Sequence, residues 1–133
     1  MGLIDSLAGR YGDRVRFFTI YTQEAHPSGA RQRFLRNPSG LADRERAAAE
    51  LARQMRLSMP ILLDSPRNSV ARRYDALPSR LYVVDAQGRI AFKGATPPGG
   101  IDAPGAVRAL DALVQRDESR RAGLIVGTPT PQR

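Results

Sequence analysis

Apolar side chains recur at helical spacing at Leu3, Ile4, Leu7, Ala8 and Tyr11, which predicts a helix ending near Gly12. Over residues 15–21 the pattern becomes a run of aromatic and β-branched residues, the mark of a strand. Its continuous apolar character predicts a central strand covered on both faces. Residues 22–40 form a long polar connection containing Pro27, Gly29, Pro38 and Gly40, and loops of that length in compact domains are often functional. The clearest helix spans residues 43–56. Ala47, Ala48, Leu51, Ala52 and Met55 make its apolar face, and Arg44, Glu45, Glu50 and Arg53 are expected outside. Asp43 suits the N-cap or the first turn.

Residues 60–64 read as a short strand, and Pro60 at its start predicts an edge. Asn68 can cap a short helix running through Tyr74, with Val70, Ala71 and Tyr74 inward. Residues 80–85 and 89–93 are two strands around Ala86, Gln87 and Gly88, a hairpin in which Gly88 supplies positive φ. After a Gly- and Pro-rich loop, Asp102 caps a last helix. Pro104 stands in its first turn, where a missing N–H is harmless, and Val107, Leu110, Leu113 and Val114 form the buried stripe. Residues 119–133, with their prolines and basic end, are expected to be a disordered tail behind a single domain over 1–118. The order α, β, α, β, α, hairpin, α is a parallel α/β half followed by an antiparallel pair and a closing helix.

Composition narrows the function classes. A length of 133 residues fits one domain, and 41% apolar residues can build a core. No apolar run approaches the roughly 18 residues of a membrane span. The first ten residues, with Asp5 among them, lack the basic and apolar regions of a signal peptide, which favours a cytoplasmic location. The absence of cysteine excludes disulfides, thiolate metal sites and a cysteine nucleophile from this chain. The net charge is +8, and every basic residue except Lys93 is arginine. The arginines are scattered and not interleaved with aromatics along one stripe, so nucleic acid is not the expected partner; an anionic small ligand fits the charge.

Specific segments carry a family resemblance. The apolar run Val15-Arg16-Phe17-Phe18-Thr19-Ile20-Tyr21 leads to Glu24-Ala25-His26-Pro27, which resembles the strand and Glu-Ala-His motif of iodothyronine deiodinases and their bacterial relatives. Pro78-Ser79-Arg80-Leu81-Tyr82-Val83-Val84 is similar to their segment of proline, Arg-Leu-Tyr and apolar strand, and Gly88-Arg89-Ile90-Ala91-Phe92-Lys93-Gly94 to the hairpin's second strand. The strand at 60–64, Asn68 and Tyr74 fit the family order, and the resemblance covers residues 4–114. One motif departs: the family's usual Asp-Gly-Trp after the histidine stands here as Ser28-Gly29-Ala30. The resemblance implies a thioredoxin-like α/β fold with a cis peptide before Pro78. It also implies a selenocysteine or cysteine on a strand and turn ahead of the first helix. Residue 1 falls just after that point, so the chain is expected to lack the first strand and the nucleophile turn. That strand would lie between those at 15–21 and 80–85, which makes this an incomplete domain.

His26, the sole histidine, precedes Pro27 and is held to extended backbone at a strand's C-terminal end, where open α/β sheets bind ligands. Glu24 lies on the same side of the extended chain and can hold the imidazole and tune it. On the residues alone, an exposed histidine at a strand end remains open; the resemblance implies catalytic roles for His26 and Glu24. It implies substrate-binding roles for Pro78 and Arg80, with Arg80 gripping an anionic end of the substrate. The other reading of Arg80 is a surface salt bridge. Tyr21, Tyr74 and Tyr82 read as core. One histidine without cysteine argues against a metal, and no cofactor is implied.

The implied activity is an oxidoreductase acting on a small aromatic or iodinated substrate with a thiol reductant. Met1, Met55 and Met59 are thioethers and cannot serve as the nucleophile, so the chain as written is expected to be inactive. Two alternatives differ in class: a non-catalytic binding module for a small aromatic anion, and a basic protein binding nucleic acid, which salt-sensitive binding would reveal.

Overall fold

A computed structural model describes residues 3–23, 38–95 and 101–126, which fall into two compact units, Met1–Arg80 and Leu81–Arg133. Helices and short strands alternate in the first unit: α1 (Leu3–Tyr11), β1 (Thr19–Tyr21), α2 (Leu41–Met55), β2 (Ile61–Leu63) and α3 (Ser69–Arg73). β1 and β2 are parallel, with Thr19 opposite Ile61 and Tyr21 opposite Leu63. The Thr19 N–H donates to the Pro60 carbonyl at 3.0 Å, and the Asp64 N–H to the Tyr21 carbonyl at 2.9 Å. Leu7, Tyr11, Tyr21, Ala48, Met59 and Ala71 are buried in this unit. The Asp5 carboxylate accepts the Ser58 hydroxyl at 2.7 Å, tying α1 to the turn that follows α2.

Three expectations change here. The strand predicted over 15–21 narrows to its last three residues, and Phe18 stays 54% exposed. The reason is pairing: β1 has a neighbour in β2 alone among the described strands, so no second ladder holds residues 15–18 extended. Arg44, expected on the outer face of α2, is 3% exposed, whereas Met55, expected inside, is 60% exposed. Position 44 lies one helical turn before the fully buried Ala48, which puts it on the inner face. Tyr74 is likewise exposed, and Ala71 is the residue of α3 that packs inward.

The second unit holds β3 (Tyr82–Val84), β4 (Ile90–Lys93) and α4 (Ala103–Val126). The hairpin forms around the predicted turn, with antiparallel strands, Val83 facing Phe92 and Gly88 at φ 80°, but the strand expected over 80–85 narrows to β3 and leaves Arg80 outside it. Asp85 organises the turn by accepting the N–H groups of Gln87 and Arg89, each at 2.9 Å. Asp102 caps α4, taking the Gly105 N–H on its side chain at 2.9 Å and the Ala106 N–H on its carbonyl at 3.1 Å. Val83, Ala106 and Leu110 are the buried hydrophobic residues among the described residues of this unit. α4 does not stop at residue 118; it runs to Val126, which corrects the tail prediction as far as that residue. Residues 115–122 are exposed, and an Asp117–Arg121 pair at i,i+4 spacing supports them, while the prolines at 129 and 131 lie beyond.

Candidate functional site

The C-terminal ends of β1 and β2 meet the start of α3, and a polar network fixes that junction. Asp64, 1% exposed, closes β2 and turns its carboxylate onto α3. One oxygen accepts the N–H groups of Ser65 at 2.7 Å and Val70 at 2.9 Å, with the Ser69 hydroxyl at 3.2 Å. The other accepts the Ala71 N–H at 2.9 Å. Burial pushes the carboxyl pKa up, but the hydrogen bonds from Val70, Ala71, Ser65 and Ser69 together outweigh it and hold the group below the usual aspartate value. Asp64 thereby supplies the N-terminal capping of α3 that was expected of Asn68. Asn68 stands at the cap position with φ 54°, but its side chain makes no cap hydrogen bond.

The Asn68 side chain instead links two other groups. Its amide NH2 donates to the Gln23 side chain and its oxygen accepts from Arg44 at 2.7 Å. The buried Arg44 also donates to the carbonyls of Asp64 at 3.2 Å and Ser65 at 2.8 Å. A cation reaching out from α2 therefore ties together the end of β2, the entry to α3 and, through Asn68, Gln23 just beyond β1. Gln23 is the residue immediately before Glu24.

A cavity of about 330 Å³ opens beside this network, lined by Gln23, Asn68, Arg72, Asp75, Ala76 and Leu77 among others. Its size is at the lower end of small-ligand sites. The Leu77–Pro78 peptide bond on its border is cis, as the resemblance implied. Asp75 has φ 48°, a left-handed conformation uncommon outside glycine. Its carboxylate, on a side chain 72% exposed, lies 3.1 Å from a guanidinium nitrogen of Arg80, whose side chain is 4% exposed. The salt-bridge reading of Arg80 thus describes its contact, but the Arg80 side chain is covered rather than on the surface.

Of the sequence-predicted site residues, Pro78 and Arg80 follow directly on this cavity's wall in the chain, while Glu24 and His26 lie outside the described residues. Sequence reasoning missed Asp64, Arg44 and Asp75. An acidic residue closing an apolar strand five positions before a helix was a usable signal for Asp64, as was the i,i+4 spacing to Ala48 for Arg44; nothing marked Asp75. Among the described residues, no cluster of three His, Cys, Asp or Glu side chains could hold a metal ion. No helix among them is long and apolar enough to cross a membrane.

The chain was compared with known proteins. The family model for iodothyronine deiodinase matches residues 2–111. A type I iodothyronine deiodinase from Xenopus laevis is 31% identical over 104 residues, covering 75% of this chain and 40% of that protein. The chain thus spans well under half the length of this relative. No solved structure matches. The mixed α/β architecture and the cis proline accord with the thioredoxin-like fold of deiodinases. The match over residues 2–111 takes in nearly every element of both units, and on it the chain belongs to the iodothyronine deiodinase family.

Proposed function

We propose that this chain forms the substrate-holding part of a deiodinase-like oxidoreductase, with the redox nucleophile supplied from outside it. The family match over residues 2–111 carries the reading. In the complete reaction, a selenolate or thiolate attacks the iodine of an aryl iodide. A Se–I or S–I bond forms as the C–I bond breaks, and the electron pair left on carbon takes a proton. One thiol then displaces iodide and a second releases the nucleophile, so the thiols are oxidised to a disulfide as the aryl iodide is reduced. His26, oriented by Glu24, donates the proton or holds the phenol. Arg80 binds the anionic end of the ligand, a task for which a guanidinium is suited. With no cysteine in its sequence, the chain is inactive in the redox step by itself.

The absence of cysteine favours a second reading, a binding module that uses the same site without turnover. One experiment tests both. His26 is the only histidine, so its ring protons give one resolved NMR signal pair. Titration with 3,5-diiodotyrosine should move that pair, and Arg80→Gln should weaken binding at least tenfold. Iodide release with dithiothreitol, measured on any longer reading frame that contains the chain, then separates enzyme from binder. Release that survives unchanged in His26→Ala and Arg80→Gln sinks the assignment of both residues.

A further inference from the structure

Arg80 and Asp75 pose a problem for an anion site. The Arg80 side chain is 4% exposed, yet the carboxylate bound to its guanidinium belongs to a side chain 72% exposed that also lines the cavity. Asp75 holds this place from a left-handed backbone conformation, φ 48°. Arg80 itself is not part of the lining, so its charge meets the cavity through Asp75.

We propose that Asp75 is a built-in competitor for the Arg80 guanidinium, and that an anionic ligand enters by exchanging its own carboxylate or phenolate for that of Asp75. The inference rests on the reading of Arg80 as an anion-binding residue and deepens it by naming what sets the selectivity. While Asp75 is in place, the pair is neutral. A ligand gains the Arg80 contact only by displacing an intramolecular rival that has no translational entropy to lose. The Asp75 side chain is exposed and can turn into water, so the rival is displaceable rather than blocking. Once released, Asp75 repels a second negative charge, and the site therefore takes monoanions in preference to dianions. Removing the Asp75 carboxylate leaves a desolvated cation with one fewer negative partner, and that raises its affinity for an incoming anion.

The test uses the chain as it stands, with 3,5-diiodobenzoate as the anionic probe and 3,5-diiodobenzamide as its neutral counterpart. Calorimetry and thermal shift compare wild type with Asp75→Asn and Asp75→Gly. Both replacements tolerate the left-handed backbone, so one of them provides a folded variant. Benzoate should bind both variants about two- to fivefold more tightly than wild type, the range set by losing an ion pair with one exposed partner. The amide should gain nothing, and Arg80→Gln added to Asp75→Asn should erase the gain. Equal or weaker benzoate binding in the variants, an equal gain for the amide, or a gain that survives Arg80→Gln overturns the inference and leaves the anion site standing. If benzoate binds neither wild type nor variants, the anion site itself falls, and the competitor with it.

Discussion

Asp64→Asn is the sharpest probe of how the junction is built. The replacement keeps shape and volume and exchanges one carboxylate oxygen for an NH2. The oxygen that serves Ser65, Val70 and Ser69 can be kept by the amide, which leaves NH2 facing the Ala71 N–H, a donor against a donor in a buried place. An unmet buried N–H costs about 1–3 kcal/mol, and weakening the remaining bonds from charged to neutral acceptor adds to it, so a loss of about 2–4 kcal/mol is expected. Flipping the amide is worse, since it sets NH2 against three donors. Urea denaturation at pH 7 measures the loss. The pH dependence supplies a second signature. The folded-state pKa of Asp64 is depressed, so its contribution is complete above the unfolded value of about 3.9 and is lost as pH falls through the lower folded pKa. The difference between wild type and Asp64→Asn should therefore be constant from pH 5 to 7 and shrink below about pH 4. A difference under about 0.5 kcal/mol at pH 7, or one that grows on acidification, refutes the account of the carboxylate as the cap of α3.

Other positions separate the physics further. Arg44→Met keeps the length of the side chain but leaves the Asp64 and Ser65 carbonyls and the Asn68 amide oxygen without their donor; about 2–4 kcal/mol should be lost in urea titrations, and Arg44→Lys should recover only part of it. Gly105→Ala places a methyl 2.6 Å from the Phe92 ring and against the Asp102 cap, so about 1–3 kcal/mol of destabilisation is expected from overpacking. Gly9→Ala, in open space within α1, should instead stabilise by up to about 1 kcal/mol, and a thermal melt showing both changes with the same sign contradicts the packing. Gly88→Ala meets no atom but must adopt φ 80°, at a cost of about 1 kcal/mol read by the same melts.

Periodicity carried most of the fold. The helix at α1, the cap at Asp102 and the Gly88 turn are local signals, settled within a few residues, and each appears where the pattern places it, while of the α4 stripe Leu110 is buried and Val107, Leu113 and Val114 are half-buried. Errors arise where tertiary partners decide. β1 is as long as its neighbour allows, and β2 offers three residues, so the apolar run at 15–18 predicted more strand than the pairing sustains. α4 outlasts its buried stripe, because the charged residues after Val114 are good helix formers that need no core to stay helical next to a packed segment.

The arginines show why the site was harder to read than the fold. Twenty scattered arginines look like background, and for exposed examples such as Arg46, Arg53 and Arg121, paired only with carboxylates three or four residues away, that reading is adequate. Arg44 and Arg80 differ in side-chain burial; the i,i+4 spacing to Ala48 is the one local mark of Arg44, and nothing local marks Arg80. Arg44 reaches acceptors 20 to 24 residues away, a distance no periodicity encodes. Arg80 meets a carboxylate, Asp75, that lies outside the family motifs. A desolvated guanidinium is kept only where fixed acceptors compensate it, so burial singles out the arginines whose surroundings the fold had to shape. Arg44 answers that need with carbonyls that cannot leave, and so builds structure. Arg80 answers it in part with an exposed side chain that can leave, and the proposed anion site depends on that exchange.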